Sequence, residues 1–122
     1  GENNFSNNGS FKGSLNMAIS HILEENASTK ILLVSPIYRS RMNPGDSKNS
    51  DDYIMNDLYL SDFVLAMGEV ASYNHIPFVD LYNTSGINKY TSSVYLSDGL
   101  YLNDAGQELI ATKILDAMNF YY

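Results

Sequence analysis

Cysteine is missing altogether from these 122 residues, which removes disulfides, thiolate nucleophiles and cysteine-ligated zinc together and leaves the redox compartment open. Histidine is scarce. His21 and His75 stand far apart, too few and too dispersed for a transition-metal site, so neither a metal nor another cofactor is expected. Lysine and arginine number 7 against 14 aspartates and glutamates, and the net charge of -7 repels phosphate backbones and anionic membrane surfaces. Nucleic acid is therefore not an expected partner. No apolar run approaches the roughly 18 to 20 residues that cross a bilayer, and the polar opening from Gly1 to Ser10 lacks the basic and apolar regions of a signal peptide. Membrane insertion is not expected, and any export signal would lie upstream.

What is present suffices for one core. With 44% hydrophobic residues the chain reads as a single domain over 1–122, too short for two ordinary ones. Its ten tyrosines and many asparagines give a polar, aromatic surface of a kind that suits sugars, although plain compositional bias explains it as well. Residues 2–14 read as a loop rich in Asn, Ser and Gly. Leu15, Ala18, Ile19, Ile22 and Leu23 then recur at helical spacing, predicting a helix over about 14–26. Lys30 to Ser35, KILLVS, is a continuous apolar run of the type buried on both faces of a parallel sheet, and Pro36 stops it.

From Pro36 to Asp52 the chain reads as a long exposed loop holding three of the seven basic residues. A helical pattern follows from Ile54 to Ala71, broken near Ser61, and IPFVDL ending at Leu81 predicts a second buried strand. Residues 82–103 read as another loop, and Asp104 with Gln107 as a capping box opening the last helix. Helix, strand, helix, strand, helix is the pattern of an α/β fold with a parallel sheet. Two strands alone make an unstable sheet, so further strands from an upstream segment or a partner copy in a homo-oligomer are expected to complete it.

Asp98-Gly99-Leu100-Tyr101-Leu102-Asn103 follows that second strand and precedes the last helix with its early Gly106. This placement resembles the closing D-G-x-H-x-N segment of the SGNH (GDSL-like) hydrolases, esterases and lipases. KILLVSP resembles their preceding strand, and Gly1-Glu2-Asn3-Asn4 their G-x-N-D block. The resemblance implies a flavodoxin-like three-layer α/β sandwich with a parallel sheet, incomplete here, of which the chain is the C-terminal part. It also implies a Ser nucleophile, an oxyanion hole with Asn3 as a donor, and an Asp and His three residues apart. The His takes the serine proton while the Asp orients and stabilises the imidazole.

The departures bear on activity. Tyr101 stands in the His position, and a phenol with a pKa near 10 is a poor proton acceptor at neutral pH. Asn4 replaces the family's Asp, and the nucleophile block would lie upstream of Gly1. Gly45-Asp46-Ser47-Lys48 imitates that block, but it follows Arg41, Met42, Asn43 and Pro44 rather than a buried strand and reads as a turn. Catalytic positions are thus Asp98 and an inactive Tyr101. Tyr38, Arg39 and Arg41 follow the C-terminal end of a buried strand, the side where open parallel sheets hold ligands, and are expected to contact a substrate or glycan.

His75, between helix and strand, and His21, at the border of the first apolar stripe, read as structural or surface residues. Asp46, Asp51, Asp52, Asp57 and Asp62 lack the ligand spacing of a calcium loop and read as a solvated acidic face. Asp80 reads as structural, near the closing loop. The expectation is a non-catalytic domain binding carbohydrate or acylated surface ligands, set in a larger secreted or phage-tail-like protein at a cell surface. Two alternatives stay open: part of an active serine esterase acting on O-acyl esters of carbohydrates or lipids, completed upstream, and a structural or oligomerisation module.

Overall fold

Ser10 opens the first helix by accepting the Gly13 N–H on its hydroxyl at 3.0 Å, a side-chain cap for an otherwise orphaned donor. A computed structural model describes residues 10–122. In chain order the elements are α1 (Phe11–Glu25), β1 (Leu33–Val34), β2 (Ile54–Met55), β3 (Leu58–Tyr59), α2 (Leu60–Tyr73), β4 (Phe78–Val79), α3 (Leu81–Thr84), α4 (Ser92–Tyr95), β5 (Leu96–Ser97), β6 (Tyr101–Leu102) and α5 (Asp104–Tyr121).

The predicted parallel pairing is β1 with β4, in the register Leu33 to Phe78 and Val34 to Val79. Leu33 N–H donates to Pro77 O at 3.1 Å and Ser35 N–H to Val79 O at 3.0 Å. Both strands are shorter than the apolar runs that announce them, because only the stretch with a partner can form a ladder. The pleat sends successive side chains to opposite faces. Phe78 accordingly meets α2 at Gly68. Val34 and Val79 pack instead on the core of Tyr38, Leu81, Ile87, Leu96 and Ile110, with Leu109 and Ile114 of α5 beside them. Helices thus cover both faces of the pair, as buried parallel strands require.

On the α2 side, Phe11 and Phe63 meet edge to face at 5.3 Å. Lys12 pairs with Glu69, and Asn74 Nδ2 donates to Asn16 Oδ1 at 2.7 Å. Val70 and Val64 are fully buried there. Among the described residues no helix is long and apolar enough to cross a membrane.

Three expectations need correction. The helical pattern beginning at Ile54 is in fact an antiparallel hairpin, β2 with β3. Asn56 and Asp57 take φ of 52° and 64°, the left-handed pair of a two-residue hairpin turn, so the helix starts only at Leu60, with Asp62 accepting the Tyr59 N–H. Residues 82–103 are not mere loop but hold α3, α4 and a second hairpin of β5 with β6. Finally, α5 is capped one residue before the expected site: Asn103 Oδ1 accepts the Gly106 N–H at 2.9 Å, and Asp104 is the first helical residue.

Candidate functional site

The chain leaves β1 through Ser35 and Pro36 into a loop whose base is closed by two reciprocal bonds. Arg39 N–H donates to Ser50 Oγ and Ser50 N–H to Arg39 O, both at 2.9 Å. This makes 39–50 a compact closed loop rather than an open excursion. Tyr82, the second residue of α3, braces it. Its N–H donates to Ser35 Oγ at 3.0 Å and its hydroxyl donates to Asp51. At the loop's tip Asp46 N–H donates to Asn43 O at 3.1 Å with Gly45 at φ 88°, so Gly45-Asp46-Ser47 is a turn.

Against this loop lies the turn between β5 and β6. Asp98 and Gly99 have φ of 53° and 75°, and Leu100 N–H donates to Ser97 O at 3.1 Å. Three successive carbonyls of the turn are held by three successive residues of the loop. Arg41 Nε donates to Asp98 O at 2.7 Å, Ser40 N–H to Gly99 O at 2.8 Å and Arg39 Nε to Leu100 O at 3.2 Å. The Arg39 guanidinium also lies 5.7 Å from the centre of the Tyr101 ring, within range of a cation–π contact.

Asp98, Tyr101, Arg39 and Arg41 therefore form one cluster although about 60 residues separate them, the span of the 61-residue Arg39 to Leu100 bond. Asn3 lies outside the described residues. Tyr38 belongs with the cluster in sequence but not in exposure. It is 4% exposed and sits in the core with Leu81 and Leu96, so its ring does not offer the open stacking face expected of it. The physical reason is the closed loop, which folds its base inward.

Within the cluster the acid and the phenol are not bonded to each other. Among the described residues, the Asp98 carboxylate and the Tyr101 hydroxyl make no hydrogen bond to each other or to any other group, and Tyr101 is 69% exposed. His75 has a left-handed backbone between α2 and β4, at the opposite end of the strand from this cluster, and His21 is exposed on α1. Asp80 caps α3, accepting the Asn83 N–H at 3.0 Å.

Sequence reading missed the group formed by Ser50, Asp51 and Tyr82. Ser50 is fully buried, which no spacing in a Ser- and Asn-rich loop announces. Burial, and then the hydrogen bond to Asp51, hold the Tyr82 phenol above its usual value. Burial also raises Tyr38, with Asp51 adding to it. Both phenols keep their protons more tightly folded than unfolded. The stability they contribute is therefore complete below the ordinary tyrosine value of 10.0 and is lost as pH climbs above it. Urea unfolding at about pH 8 and about pH 11 should show a marked alkaline loss, and Tyr82→Phe should make that loss shallower. An equal slope in the variant would remove Tyr82 from the account.

No protein-family model matches the sequence, and no curated protein matches it. Solved structures do. One crystal structure superposes with a TM-score of 0.83 at 28% identity, covering 98% of this chain and 56% of its own. A Lactobacillus plantarum protein superposes with a TM-score of 0.81 at 21% identity, covering 100% of this chain and 59% of its own. A possible lipase from Chitinophaga pinensis gives a TM-score of 0.73 at 24% identity over 95% of this chain and 62% of its own. The chain spans less than two thirds of each, and its mixed α/β fold is one it shares with a protein described as a possible lipase.

Proposed function

We propose that the chain is the C-terminal part of an SGNH-type hydrolase domain, a portion of a flavodoxin-like sandwich, that does not catalyse ester hydrolysis as it stands and serves to bind carbohydrate or acylated surface ligands. One observation carries the reading: Tyr101, which stands where the resemblance expects a His, is exposed and unbonded to Asp98. A neutral phenol there neither accepts a proton at neutral pH nor receives the orientation a triad needs. The likeness to a possible lipase supports the fold side of the proposal. The loop that follows β1 and clamps the β5–β6 turn supports the binding side, since open parallel sheets hold ligands at that end of their strands.

A second reading has its own support. The solved structures that superpose on the chain are longer than it, by shares that would accommodate a nucleophile and further strands. On that reading the domain is part of an active serine esterase acting on O-acyl esters of carbohydrates or lipids.

Two measurements test these readings. Incubated with p-nitrophenyl acetate and butyrate, the chain is expected to give no turnover above the buffer rate. Hydrolysis that Asp98→Ala abolishes would overturn the non-catalytic reading. A longer protein containing this chain should be labelled by a fluorophosphonate on the second reading, and lack of labelling would remove that reading.

A further inference from the structure

The two arginines of the cluster are anchored in the same unusual way. Each donates through Nε to a backbone carbonyl of one turn, Arg41 to Asp98 and Arg39 to Leu100. That bond fixes the guanidinium while leaving its terminal nitrogens uncommitted, and among the described residues those nitrogens have no carboxylate partner. The ion pair described elsewhere is Lys12 with Glu69. In a chain with 14 acidic and 7 basic side chains, acidic partners are abundant, yet none has been drawn to either arginine. Both are half-buried rather than waving in solvent.

Beside them the Tyr101 ring is 69% exposed with Arg39 against it. A flat aromatic face next to fixed, planar donors suits a sugar ring that carries a planar anion: the ring lies on the tyrosine and the anion takes the paired N–H donors of guanidinium. Asp98 sits on the same turn, exposed, and subtracts one charge. Two cations and one anion leave a single positive charge, which matches a carboxylate better than a dianionic phosphate.

We infer that Arg39, Arg41 and Tyr101 form a binding site for a carboxylated saccharide, of the uronic acid type. This rests on the reading of the domain as a carbohydrate binder and narrows it to a ligand class. Guanidinium groups already pinned by the turn lose little freedom when the ligand arrives, which favours affinity.

Titration by NMR or calorimetry with glucuronate, its neutral methyl ester and glucose tests the site on the unmodified protein. Glucuronate should bind at least about tenfold more tightly than the methyl ester or glucose, a difference of about 1.4 kcal/mol, and added salt should narrow the gap. Arg41→Gln should bring glucuronate down to the level of its ester. Tyr101→Ala should weaken all three sugars together.

Equal affinity for glucuronate and its methyl ester on the unmodified protein would overturn the carboxylate assignment and leave carbohydrate binding standing. Glucose 6-phosphate binding more than about tenfold tighter than glucuronate would overturn it as well. Ester turnover with the carboxylate preference intact would remove the non-catalytic reading and leave this site. If Arg41→Gln loses its circular dichroism signal, the comparison of acid with ester still decides, because it needs no variant.

Discussion

Gly106→Ala should destabilise the fold by about 3 kcal/mol, although the same change inside most helices is stabilising by about 1 kcal/mol. The sign reverses because of where the helix begins. A Cβ on Gly106 would stand 2.2 Å from the Tyr95 carbonyl oxygen and 2.9 Å from Leu102 Cδ2. The first of these is backbone and cannot swing aside. Tyr95 O also accepts the Asn103 N–H at 2.9 Å, and Asn103 Nδ2 donates to Val94 O at 2.8 Å. Relieving the clash therefore means pulling α5 off α4 and breaking the cap that starts it. Chemical denaturation of the variant beside the parent measures this, and an unchanged or raised midpoint would mean that the two helices do not approach so closely.

Gly99→Ala is the second large effect, about 2 to 3 kcal/mol, from left-handed strain and overpacking together. At φ 75° an L side chain is strained before any neighbour is considered, and here the new Cβ would lie 2.8 Å from Ser40 Cβ. The comparison that isolates the contact is Gly45→Ala. Gly45 has φ 88° but open space around it, so only the backbone term of about 1 kcal/mol applies. The surplus at Gly99 reports the contact between the loop and the turn. Equal losses at the two glycines would mean that residues 39–41 do not press on the turn.

Much of this was legible from residue pattern. The apolar run at 30–35 and IPFVDL at 76–81 contain the strands that pair, because a continuous apolar stretch has few fates other than double-sided burial. The last helix and its start were readable within one residue, since Asn103 and Asp104 are both capping types and only geometry chooses between them. The two hairpins were missed for an identifiable reason. Asn56-Asp57, between Met55 and Leu58, and Asp98-Gly99, between Ser97 and Leu100, are turn dipeptides, but each lay inside a stronger pattern, one helical and one recognised as a motif. In both cases the local turn signal was the informative one.

The order of chain segments and the absence of a histidine at position 101 belong to the sequence alone, for apolar period and side-chain chemistry need no coordinates. The tertiary structure alone decided that Tyr38 is core, that Ser50 is sealed, and that both arginines are fixed against a turn some 60 residues away, as in the 61-residue Arg39 to Leu100 bond. These facts depend on long-range closure of the 39–50 loop and on which carbonyls it meets. A linear pattern encodes the preference of each segment for burial, but not which distant backbone group will satisfy a given donor.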